Sequence, residues 1–186
     1  MSKKIAILRG INVGGKRKIL MADLRQLFQK LGFSNIATYI QSGNVIFEAT
    51  NKSTDIEMAT EIEKAILEEY GFVVPVIVKS KEEIVRAVEY NPFYQDKEAD
   101  IKALHLTFLK ESPSSENLAK TATYDYSPDK FVIKDKSVFI FCEGKYHKSK
   151  LTNNFFEKKL KVAATTRNWK TVLKLLELSR VSLGNS

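Results

Sequence analysis

The stretch Ile36-Ala37-Thr38-Tyr39-Ile40-Gln41-Ser42-Gly43-Asn44-Val45-Ile46-Phe47 decides how this chain folds. It reads as two short strands, Ile36–Ile40 and Val45–Phe47, joined by the turn Gln41-Ser42-Gly43-Asn44, and turn residues between apolar runs signal a β-hairpin. What flanks the hairpin gives it its weight. Before it, Met21 to Leu31 carries Leu24, Leu27, Phe28 and Leu31 at the i, i+3, i+4, i+7 spacing of a helix face, and Gly32 stops that helix. After it, a second helix from about Asp55 to Tyr70 ends in Gly71. Phe72–Val78 then reads as a fourth strand, with Pro75 marking an edge or an entry position. With Ile5–Leu8 as the first strand, the order is β-α-β-β-α-β, the ferredoxin-like plan.

The plan then repeats. Ser80-Lys81-Glu82-Glu83 is a capping box ahead of Ile84, Val85 and Val88, and this linking helix closes at Asn91-Pro92. Leu104–Leu109 is a strand, and Ser112-Pro113 opens a helix with proline at its first position. Phe131–Ile133 and Val138–Cys142 make a hairpin around Lys134-Asp135-Lys136. A helix from about Ser149 to Leu160, a strand at Val162–Thr165 and a final helix at Asn168–Leu178 complete the chain. The expected class is α+β, with two tandem ferredoxin-like halves and an extra C-terminal helix. Residues 1–80 form the first half, 81–100 the linking helix and loop, and 101–186 the second half with the terminal helix.

The 186 residues, 44% hydrophobic and 28% charged, suit an ordinary globular protein. No apolar run approaches the roughly 18–20 residues that span a bilayer, so no membrane partner is expected. Met1-Ser2-Lys3-Lys4 lacks the apolar core of a signal peptide, and Cys142, the single cysteine, has no partner for an internal disulfide. A cytoplasmic location is the expectation. The net charge of +8 is unevenly placed. Glu48 to Asp100 holds thirteen Asp/Glu against six Lys/Arg, and Glu143 to Arg180 holds ten Lys/Arg against three Glu. Residues 1–30 carry Asp23 as their only acid. That polarity favours an anionic partner near both ends, although lysines that merely solvate helix faces give the same count.

The chemistry concentrates after the first strand, in Arg9-Gly10-Ile11-Asn12-Val13-Gly14-Gly15-Lys16-Arg17-Lys18. Glycines between a strand and a helix let backbone N–H groups turn outward, and the adjacent cations complete an anion site. In the split plan, strands one and two run parallel, so this loop and the Gln41–Asn44 turn belong at one end of the sheet. The expected anion-binding residues are therefore Arg9, Asn12, Gly14, Gly15, Lys16, Arg17, Ser42 and Asn44. Arg167 joins them as a candidate, because a cation just ahead of a helix opposes the dipole and calls for a negative partner. Gly10-x4-Gly15-Lys16 fits most of a P-loop, but Arg17 stands where a metal-binding Ser or Thr is required. The plainer alternative is a tight glycine turn with solvated lysines.

Trp169 fits the apolar face of the last helix with Val172, Leu173 and Leu176 and reads as core. His105 reads as a packed strand residue and His147 as a solvated one. No catalytic residue, metal ligand or cofactor is assigned from this pattern.

Leu8-Arg9-Gly10-Ile11-Asn12-Val13-Gly14-Gly15-Lys16, Met21-Ala22-Asp23-Leu24, Leu31-Gly32 and Ser42-Gly43-Asn44-Val45 resemble the N-terminal signature of the bacterial domain of unknown function 1697 family. Thr166-Arg167-Asn168-Trp169-Lys170-Thr171-Val172 resembles its C-terminal signature. The resemblance implies two ferredoxin-like halves and implies no reaction. The leading expectation is a non-catalytic binder of nucleic acid or of a phosphorylated small molecule through the Arg9–Lys18 loop. The alternatives are a small enzyme acting on an anionic substrate at the same rim, and a protein-interaction module with a basic face.

Overall fold

Each half folds as a four-stranded antiparallel sheet. The computed structural model describes residues 2–50, 53–95 and 99–181. The first half contains β1 (Ser2–Leu8), α1 (Met21–Lys30), β2 (Ser34–Tyr39), β3 (Asn44–Ala49), α2 (Asp55–Tyr70) and β4 (Val76–Ser80), with strand order β2-β3-β1-β4. After α3 (Lys81–Glu89), the second half contains β5 (Leu104–Leu109), α4 (Ser115–Ala122), β6 (Lys130–Lys134), β7 (Ser137–Phe141), α5 (Asn153–Leu160) and β8 (Ala164–Asn168), with order β6-β7-β5-β8. The last helix is α6 (Trp169–Arg180). Among the described residues no helix is long and apolar enough to cross a membrane.

Contacts divide the chain into two compact units, one of Met1–Ile84 with Leu175–Ser186 and one of Val85–Lys174. The sequence reading keeps 101–186 together, whereas here the division passes through α3 and α6. The first core gathers Leu24, Leu27 and Phe28 of α1, Met58, Ile62 and Ile66 of α2, and Ala6 and Leu8 of the central strand. Phe28, Phe33 and Phe47 meet one another with centroids 4.6–5.7 Å apart. The second core places Phe156 and Leu160 of α5 against Val138 and Ile140 of β7.

Local chemistry sets the helix starts. Thr54 and Glu57 form a reciprocal capping box at α2. Ser80 and Glu83 do the same at α3, with bonds of 3.2 Å and 2.9 Å. Glu83 also meets Lys79 at 3.3 Å, which gives that buried ammonium the carboxylate it requires.

Several boundaries differ from the sequence reading. β4 starts at Val76 rather than Phe72, because Pro75 cannot donate to the ladder; the proline carbonyl instead accepts from the Arg9 N–H at 3.0 Å. α4 starts at Ser115, because the Ser114 hydroxyl, rather than Ser112, caps the Asn117 N–H. α5 starts at Asn153, capped by Thr152, and a short 3-10 turn over Tyr146–Lys148 precedes it. β8 runs on to Asn168, so Thr166 and Arg167 are strand residues: Thr166 faces Thr107 in the ladder, with hydroxyl oxygens 2.7 Å apart. Asn168 is outside the helix and caps α6, its Oδ1 accepting the Thr171 N–H at 2.8 Å. Trp169 is fully buried, edge-on to Tyr94 at 5.2 Å.

His105 lies in β5, 9% exposed and stacked on Tyr146 with centroids 4.4 Å apart, and burial holds its imidazole below the usual histidine range. The unfolded chain therefore takes up the proton first, and stability declines as pH falls below about 6.5, down to the folded-state value. His105→Phe should remove this component. Urea midpoints measured from neutral to mildly acidic pH should fall more steeply for the parent than for the variant; equal slopes would show that His105 does not contribute.

Candidate functional site

β1 and β2 each pair antiparallel with β3, so they run parallel and the segments that follow them leave the sheet at the same end. The Leu8 N–H donates to the Gly43 carbonyl at 2.8 Å, bringing the Arg9–Lys18 loop against the Gln41–Asn44 turn. Gly43 has φ 82°, and a Cβ there would lie 2.6 Å from Ile11 Cδ1 and 2.9 Å from Leu8 Cβ. Only glycine fits at this crossing.

Asn12 holds the two segments together. It takes the left-handed conformation, φ 55°, which asparagine tolerates better than most residues. Its Oδ1 accepts the Ile19 N–H at 2.9 Å, and its Nδ2 donates to the carbonyls of Ile19 and Gln41, each at 2.9 Å. The side chain thus ties the start of the loop to its end and both to the neighbouring turn.

Between those ends the chain folds back on itself. The Asn12 N–H donates to the Arg17 carbonyl at 3.1 Å and the Lys16 N–H to the Val13 carbonyl at 3.0 Å. Gly14 and Gly15, φ 59° and 73°, form the type I′ turn at the tip. The segment is a short two-stranded finger, not the open cradle of N–H groups expected from its glycines: the N–H groups of Asn12 and Lys16 are bonded inside it. The bond from the Lys16 N–H to the Val13 carbonyl encloses the Gly-Gly tip, so the P-loop spacing carries no P-loop geometry. Lys16, Arg17 and Lys18 are exposed on the finger. Val13 is 65% exposed at its tip, with Leu20 at 58% and Ile40 at 44% close to its base.

The other expected site residues take different places. Asn44 is buried, donating to the Tyr39 carbonyl at 3.0 Å and to Ser42 Oγ at 3.3 Å, so it shapes the turn from within. Ser42 and Arg9 are partly buried at the base of the rim. Arg167 belongs to the second unit, paired with Leu106 in the ladder. Its guanidinium donates to the Thr166 carbonyl at 3.1 Å, and burial lowers its pKa to about 10.

The model of the family "Protein of unknown function (DUF1697)" matches residues 1–139, which include the whole finger and the hairpin. The chain belongs to this family. Comparison with curated proteins gave no match. Among solved structures, the chain is similar to the conserved bacterial protein SP0830 from Streptococcus pneumoniae, 24% identical over 96% of this chain and 99% of that one, with a TM-score of 0.77. At that identity the likeness concerns the fold alone.

Sequence reasoning missed the finger, although Gly14-Gly15 between Val13 and Lys16 is a hairpin-turn signal in its own right. It also missed the exposed Val13 and Leu20, and it placed Ile40, exposed and at φ 53°, inside a strand that ends at Tyr39. The finger's base and tip should respond differently to mutation. Asn12→Ala loses three hydrogen bonds, two of them partly buried, and puts alanine at a positive φ that asparagine tolerates better, so it should cost about 2–4 kcal/mol of unfolding free energy. Lys16→Ala at the exposed tip should stay within about 0.5 kcal/mol. Urea titration of both variants measures the difference, and a comparable loss at the tip would contradict it.

Proposed function

We propose that this is a cytoplasmic, non-catalytic binder of an anionic ligand, and that nucleic acid is the ligand its finger suits best. The observation that carries this reading is the run Lys16-Arg17-Lys18, exposed on a finger whose backbone is closed on itself. A finger offers charge to an extended surface. The Asn12 amide and the N–H groups of Asn12 and Lys16 are engaged in holding the loop, and the exposed side-chain cations are the donors this reading rests on. Cations on such a projection gain affinity by contacting several phosphates and releasing their counterions. The exposed Val13 and Leu20 favour a second reading, a face that meets an acidic protein.

Fluorescence anisotropy with labelled single-stranded and duplex DNA and RNA, across a salt series, tests this. Binding should weaken linearly in log K against log[salt]. Replacing Lys16, Arg17 and Lys18 together by Ala should flatten the slope by about 0.9 per lost phosphate contact on a duplex and about 0.7 on a single strand. Absence of binding at low salt, or a slope the triple variant leaves unchanged, would remove nucleic acid and leave the protein partner.

A further inference from the structure

The second half carries an open cleft of about 560 Å³ beside β6. Lys130, Phe131, Val132 and Ile133 all line it. Consecutive strand residues point to opposite faces, so a cleft that touches four in a row runs along the edge of the strand. That edge is open, because β6 is the outermost strand and β7 is its only ladder partner among the described residues. The cleft exists because α4 is a thin cover. In the first half α1 buries Leu24, Leu27 and Phe28, whereas Leu118 is the one large apolar residue in α4, and its Ala119 and Ala122 line the cleft.

We propose that the edge of β6 receives an extended segment of a partner protein as a fifth strand, one in which two acidic residues flank an aliphatic one. Main-chain hydrogen bonds to an open edge supply affinity in this mode, and alternate side chains supply selectivity. Phe131 and Ile133 pack toward the core, so Lys130, Val132 and Lys134 lie on the opposite face, with Val132 40% exposed between two exposed lysines. The Lys134 ammonium sits 4.2 Å from the centroid of the Tyr90 ring, which fixes it on that face. A second copy of the chain is a poor occupant. Antiparallel pairing of β6 with itself about Val132 sets each Lys130 opposite a Lys134, and like charges directly opposed destabilise a ladder. Acidic residues at those two positions turn the same geometry into complementarity on that face, whereas Asp125 and Asp129 line the cleft and exclude acidic residues from the segment's other face. The intervening apolar residues of the segment would cover the cleft floor beside Phe131 and Ala122.

The probe is a capped peptide of sequence Gly-Asp-Leu-Val-Leu-Asp-Gly, added to the isotope-labelled full chain while backbone amide shifts are followed. Shifts should concentrate at 130–134. The same peptide with both aspartates changed to lysine should bind at least about tenfold more weakly, and the double variant Lys130→Glu, Lys134→Glu should reverse that preference. Ala122→Trp, at an exposed helix position, should fill the cleft and abolish binding with the fold intact. The proposal is overturned if the peptide fails to bind at about 1 mM, if its shifts map elsewhere, or if peptide charge makes no difference. It is also overturned if the protein dimerises through β6 instead.

Discussion

One carboxamide holds the loop end of the first sheet. Asn12 reaches Ile19 at both its N–H and its carbonyl and reaches Gln41 beyond, so three chain segments that share no ladder are bonded through one side chain. No apolar residue of similar size substitutes, because the partly buried N–H and carbonyl of Ile19 would lose their bonds together. The crossing beneath it depends on Gly43, where the backbone comes close to Leu8 and Ile11. Everything beyond Asn12 inherits its position from this clamp: the finger projects from a fixed base, and α1 begins immediately after Ile19.

Fixing the base leaves the tip independent. The cations at 16–18 stand in solvent, where each is worth little to the fold and can be given to a partner without structural cost. Stability and the proposed function thus reside in neighbouring but separable residues. The second half keeps the same strand order and uses it differently. Its α4 is shorter than α1 and carries a single large apolar residue, Leu118, so a cleft remains open beside β6. A repeated topology does not imply a repeated site.

What could be read from the sequence were features set by near neighbours along the chain. The i, i+4 apolar spacing in α1, the capping box at Ser80, and the two hairpins each involve residues a few positions apart, and each appears in the structure. The parallel relation of β1 and β2, which places the loop beside the turn, followed from topology alone. The features that escaped depend on distant partners. The extension of β8 through Arg167 is decided by the β5 ladder, where Thr107 meets Thr166. The role of Asn12 is decided by a carbonyl 29 residues away. The loop's glycines signalled positive φ correctly, but two glycines serve an open phosphate cradle and a closed type I′ turn equally well; the bonds from Asn12 to Arg17 and from Lys16 to Val13 make the difference.

That difference bears on the ligand. In a cradle, converging backbone dipoles bind one phosphate in a dehydrated pocket, where each donor is strong. On a finger the charges face water, and a single ion pair at the surface contributes about 0–1 kcal/mol. Binding through such charges becomes appreciable only when several act at once on a ligand that already carries a condensed counterion atmosphere. A lone phosphorylated metabolite offers one or two contacts, whereas a nucleic-acid backbone offers one at every step. Closing the glycine loop therefore moves the balance from the small ligand toward the polymer, and it does so through geometry, with the residues that suggested an anion unchanged.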